Sequence, residues 1–184
     1  GVAIAAVMAT VSIVARGNQI VVGVGLNLLA AGITTFTFRQ IFANRGDIEL
    51  ARPGAVRIPL LADLPYVGKA LFDQPVLVYL AVLAVPALWW VLNRTTIGIA
   101  VRACGEVPAA ADTAGIAVNR TRFLAVLAAG AFAGVGGAYL SVVELGYFQE
   151  GMVAGRGFLA LAAVIFGRWK PGGILAACAA FAAA

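Results

Sequence analysis

The chain runs to 184 residues, of which 62% are hydrophobic and 11% charged. A soluble domain carries about 45–50% apolar and about 25% charged residues, so the soluble globular class is excluded. The net charge of +5 comes from 13 basic and 8 acidic residues; they are dispersed, which excludes a nucleic-acid partner and makes the basic residues topology signals.

A helix needs about 20 apolar residues to cross the hydrocarbon core. Residues 1–15 supply the end of one span, and Arg16-Gly-Asn-Gln19 reads as a tight turn. Ile20 to Phe38 predicts a second span, within which Thr34, Thr35 and Thr37 are expected to bond back to carbonyls four residues earlier. Residues 39–74 are expected to form a long extracytoplasmic loop, with Pro53, Pro59 and Pro65 inside it and Pro75 at its end. Its part from Ile58 to Phe72 is amphipathic enough to lie on the membrane interface. A third span is expected from Pro75 to Leu92, kinked at Pro86, with Trp89 and Trp90 at a headgroup boundary.

Residues 93–122 form a polar island, and a fourth span follows from Phe123 to Val143. Its Gly130-Ala-Phe-Ala-Gly134 spacing admits a closely packed neighbour, although an Ala/Gly-rich helix also produces such spacings by chance. The stretch Glu144 to Gly157 is polar. Phe158 to Phe166 is apolar but too short to span alone, so a half-helix or a re-entrant element is expected. Gly167-Arg-Trp-Lys-Pro-Gly-Gly173 is a turn, after which another span begins. The fold class is therefore all-α: a polytopic helical membrane protein, one transmembrane domain over 1–184, with about five to six membrane segments. There is no initiating Met and apolar runs stand at both ends, so an internal fragment truncated at both ends is expected.

Orientation by charge is balanced. With 93–122 inside, Arg16, Arg94, Arg102, Arg120 and Arg122 are cytoplasmic, and Arg39, Arg45, Arg52, Arg57 and Lys69 lie outside. The outer loop is longer and weighs less. Within the island, Pro108 suits a first helical turn because its missing N–H would be unpaired there. Ala109, Ala110, Ala111 and Ala114 favour helix and keep its surface low, and Gly115 can end it. Glu106 stands just before that N-terminus, where a carboxylate suits the dipole. Arg102 and Asp112 are candidates for ion pairs across an interface; an ordinary solvated loop is the competing reading.

The stretch Gly98-Ile-Ala-Val-Arg-Ala-Cys-Gly-Glu-Val-Pro-Ala-Ala-Ala-Asp-Thr-Ala-Gly-Ile116 resembles the cytoplasmic loop of permease subunits of bacterial ABC importers for simple sugars and nucleosides, in the wider group of ribose and branched-chain amino acid permeases. Asn18 to Leu29, Gly130 to Ser141 and Met152 to Trp169 are similar to the same family, in the same order. The resemblance implies a multi-pass protein of the cell inner membrane whose short loop helix docks into a groove on a separate ABC ATPase subunit. It carries the coupling role onto Gly105, Glu106, Pro108, Ala111, Asp112, Ala114 and Gly115, with Arg102 beside them. Val107 and Ala109 stand where many relatives have polar or basic residues, a departure that retunes the docking contacts. The resemblance also implies a second permease subunit, identical or different, an extracytoplasmic substrate-binding protein and surrounding lipid.

Substrate-path candidates are Asn27, Phe36, Glu144 and Arg156. A polar Asn27 inside a span is costly in lipid, so it faces either a neighbouring helix or an aqueous path. Phe36 either stacks on a ring-shaped solute or anchors the interface. Glu144 and Arg156 flank the short apolar element, and half-helix N-termini recur as binding devices in transporters; a structural salt bridge is the alternative. No catalytic residue, metal or cofactor is expected. His is absent, no phosphate-binding loop of the Walker type is present, and Cys104 and Cys178 read as free thiols. An ion-coupled secondary transporter is the rival class, but no acidic residue lies in the middle of a span.

Overall fold

The computed structural model describes residues 1–42, 56–57 and 73–183. Helix α1 (Val2–Ala9) widens into a π turn over Thr10–Val14. The Thr10 hydroxyl donates to the Ala6 carbonyl at 2.8 Å, a back-bond of the kind that loosens a helix. After the turn at Arg16, the Asn18 side chain accepts from the backbone N–H of Ile20 at 3.0 Å. That capping contact starts α2 (Gln19–Phe42). Within α2 the Thr34 hydroxyl bonds back to the Ala30 carbonyl at 2.5 Å, as the sequence suggests.

Val56–Arg57 (β1) pairs antiparallel with Asp73–Gln74 (β2), Val56 opposite Gln74. These two-residue strands were not foreseen, and they leave the class all-α. Pro53, Pro59, Pro65 and the amphipathic stretch 58–72 lie outside the described residues. Helix α3 (Val76–Arg94) contains Pro86 and continues as helix on both sides of it. The island 93–122 holds two further helices, α4 (Thr96–Glu106) and α5 (Pro108–Thr113). Helix α6 (Val118–Ala138) begins within the island, five residues before the expected Phe123, and a π turn over Tyr139–Leu145 extends it. Helix α7 (Arg156–Phe166) is the expected short element and α8 (Pro171–Ala183) follows the Gly167–Lys170 turn.

Three of these helices are long and apolar enough to cross a membrane: Gln19–Ile41, Val76–Arg94 and Val118–Leu145. Val2–Val14, Arg156–Phe166 and Pro171–Ala183 are shorter apolar helices. Their outward faces are rich in hydrocarbon, with Ile20 77%, Leu28 69% and Phe158 75% exposed. Such faces cost nothing against lipid tails, so helices here must associate through close van der Waals contact.

The tightest seam joins α1 and α6. A Cβ on Gly130 would collide with the Ala5 methyl, and one on Gly134 would sit 3.3 Å from the Gly1 Cα. Ala5 and Ala9 are buried. The GxxxG spacing thus serves close packing. Helix α8 packs on α7 and on α3, with Phe166 and Phe181 edge to face at 5.7 Å.

Candidate functional site

The last four carbonyls of any helix have no partner within it, and the island is built around that fact. At the end of α3, the Thr95 hydroxyl donates to the Val91 carbonyl at 2.6 Å and accepts from the Gly98 N–H at 3.3 Å. One side chain therefore closes α3 and opens α4. The Arg102 guanidinium, from the middle of α4, reaches back to donate to the Leu92 carbonyl and to Asn93 Oδ1 at 2.6 Å. Gly98 is buried because α4 lies so close to α3 that a Cβ there would strike the Val91 and Leu92 carbonyls.

The next junction repeats the device. Arg122, near the start of α6, donates to the Cys104 carbonyl in the last turn of α4 at 2.9 Å. Cys104 itself is 1% exposed. Between these two junctions the chain breaks at Val107 (φ −138°) and restarts with Pro108 at the first position of α5.

The far end of α5 is closed by two bonds. The Gly115 N–H donates to the Asp112 carbonyl at 2.9 Å and the Ile116 N–H to the Ala111 carbonyl at 3.0 Å. That pair defines a Schellman motif, and Gly115 at φ +83° supplies the left-handed residue it needs. Ala111 is buried against the rest of the island, whereas Glu106, Asp112 and Val107 are exposed. Glu106 is the last residue of α4, and no side chain caps the start of α5. Among the described residues neither Glu106 nor Asp112 has an ion-pair partner. An open cleft of about 590 Å³ runs between α5 and the start of α6, with Pro108, Ala109 and Asp112 on one wall and Asn119, Arg120 and Arg122 on the other.

The predicted residues of this group fall on three consecutive pieces: Arg102, Gly105 and Glu106 on α4, Pro108, Ala111 and Asp112 on α5, and Ala114 and Gly115 in the cap that follows it. Arg102 is exposed like Gly105, Glu106, Asp112 and Ala114, but its guanidinium is turned back onto the end of α3. The sequence reading missed α4 as a helix and missed Arg122. The Thr95-Thr96-Ile97-Gly98 start carried a legible N-cap signal; Arg122 carried none.

The opposite end of the long α6 helix bears a second polar group. The Glu144 Oε2 accepts a hydrogen bond from Arg156 Nη1 at 3.1 Å, and the ion pair is completed by Arg156 Nη2 at 3.1 Å from Oε1. Gly155, left-handed at φ 80°, precedes Arg156 at the start of α7. Nearby, Arg39 of α2 donates to both Glu150 oxygens at 2.8 and 2.9 Å, and the Phe38 and Phe148 rings meet at 5.1 Å. The structure thus joins Glu144 to Arg156. Asn27 and Phe36 are not brought to them; both are exposed on α2.

The Arg39 hydrogen bonds hold the Glu150 carboxyl below the usual carboxylate range, against the opposing effect of desolvation and with the help of the Arg39 charge. A lowered folded value means the clasp is in place above the ordinary carboxylate value of about 4.3 and is lost as pH falls through the lowered one. Limited proteolysis of the 146–155 turn is accordingly expected to be flat from neutral pH down to about pH 5 and to accelerate only below it. Glu150→Gln should show the acid rate throughout. Identical pH profiles for the two would refute the assignment.

The whole chain, residues 1–184, matches the family described as branched-chain amino acid transport system / permease component. It is 41% identical over 178 residues to TsgC13 of Haloferax volcanii, an ABC transporter permease protein with glucose in its name; the match covers 95% of this chain and 53% of that protein. It is 40% identical over 170 residues to the nucleoside ABC transporter permease protein NupC of Lactococcus lactis, covering 91% and 53% of the two chains. To the guanosine ABC transporter permease protein NupQ of Bacillus subtilis it is 38% identical over 171 residues, covering 90% and 53%. The chain spans about half the length of these relatives, and no solved structure matches it. On its full-length match, this chain belongs to the family of branched-chain amino acid transport system permease components.

Proposed function

We propose that the chain forms part of the membrane-spanning subunit of an ATP-driven importer in the cell inner membrane, and that α5 docks onto a separate ATPase subunit. The observation that carries this reading is α5 itself: a six-residue helix opened by Pro108, closed by the Gly115 and Ile116 N–H bonds, with the exposed carboxylates Glu106 just before it and Asp112 on it. Its Ala111 side is buried against the island, and the exposed small residues Ala109 and Ala110 on its other side would suit a groove on a soluble partner. The cargo class rests on the relatives: nucleosides or simple sugars are the solutes in the names of NupC, NupQ and TsgC13. A second permease subunit and an extracytoplasmic binding protein complete the assembly in this reading. ATP-driven closure of the ATPases would move α5 as a lever, with α5 on the cytoplasmic side and the Arg39–Glu150 clasp outside.

The test is co-purification of the full-length parent in mild detergent. An ATPase that is captured by the native protein, and lost when residues 106–115 are scrambled in a still-inserted variant, is the expected result. A parent that captures no ATPase, yet accumulates solute under an ion gradient, would instead mark a secondary transporter.

A further inference from the structure

The two arginines that close helix ends in the island form a series. Arg102, carried by α4, supplies the partner for an open carbonyl of α3; Arg122, carried by α6, supplies one for an open carbonyl of α4. Each bond is made by a guanidinium to the negative end of a helix, where both the hydrogen bond and the dipole favour it. Helix α5 has six residues, too few to be stable alone, so its position is set by what holds α4 and α6. Helix α4 packs on both α3 and α6, and the missing Cβ at Gly98 lets its start seat directly on the α3 backbone.

We propose that Arg102 and Arg122 are positioning residues for energy coupling: they bind α4 to α3 and to α6, so that displacement of α5 is delivered to both spans at once. Neither needs to touch the ATPase. The inference rests on the importer reading above and goes further, because it separates docking from transmission. The docking face is built by local bonds of α5, namely Pro108 and the Gly115 and Ile116 N–H bonds. Removing the Arg122 bond leaves those intact and loosens only the joint between α4 and α6.

The experiment uses the complete transporter in proteoliposomes and reads ATP hydrolysed per solute imported, alongside the amount of ATPase that co-purifies. Arg122→Ala is expected to keep the ATPase bound and to raise the ATP-to-solute ratio about tenfold, the scale of one lost charge-assisted bond. Arg122→Lys, which keeps a cation for the Cys104 carbonyl, should recover most of the native ratio. Arg102→Ala should act in the same direction through α3. Full ATPase capture with an unchanged ratio in both alanine variants would overturn the relay and leave the importer reading standing. Absence of ATPase from the native complex would remove that reading and the relay with it. If Arg122→Ala fails to insert, Arg122→Gln is compared with Arg122→Lys: a ratio about threefold higher in the glutamine variant supports the relay, and equal ratios overturn it.

Discussion

Reversing both free carboxylates, Glu106→Lys with Asp112→Lys, is expected to lower ATP-driven uptake at least about tenfold while the protein remains inserted. Both side chains are exposed and have no ion-pair partner among the described residues, so the fold loses nothing it was using. What changes is the face that α5 presents. In the importer reading this face meets a partner, and juxtaposed like charges cost several kcal/mol at such a contact. The measurement is uptake of labelled nucleoside or sugar in energised vesicles, normalised to inserted protein. Uptake within about twofold of native in the double variant would count against these carboxylates meeting a partner at all. The expected signature differs from that of Arg122→Ala, which acts behind the docking face and spares ATPase capture.

Gly130→Leu is expected to pry α1 from α6 and to cost about 3 kcal/mol of stability in detergent. The cause is steric: a Cβ at this position already meets the Ala5 methyl, with the Gly1 carbonyl oxygen 3.2 Å away. A leucine would force the helices apart over the whole seam, and without a hydrophobic driving force inside lipid, lost contact is not made up elsewhere. Gly130→Ala should be milder, and Ala5→Gly should relieve it by removing the colliding methyl. Gly137, which has nothing within 4 Å of an added Cβ, should tolerate alanine. Denaturant titration of the folded helical state gives the comparison. Equal midpoints for Gly130→Leu and Gly137→Ala would mean that the seam is not the contact that holds α1.

The sequence by itself determined the membrane class, the existence of the apolar helices and the proline and glycine that bracket α5. Those properties come from forces that act within a few residues: hydrocarbon content over a span, a proline that tolerates the first helical turn, a glycine that accepts positive φ. The GxxxG spacing on α6 was equally visible, but only the structure gave it a partner, the Ala5 face of α1. Tertiary structure alone decided the polar pairings. Arg102 read as a candidate for an ion pair across an interface and serves α3; Arg122 read as a topology charge and closes α4. Arg39 reaches Glu150, 111 residues away in the chain, and Arg156 is held by Glu144. A long cation can reach any carbonyl or carboxylate that packing brings within hydrogen-bond distance. Which one arrives depends on how whole helices seat against each other, and small-residue contact at Gly98 and Gly130 settles that seating in three dimensions.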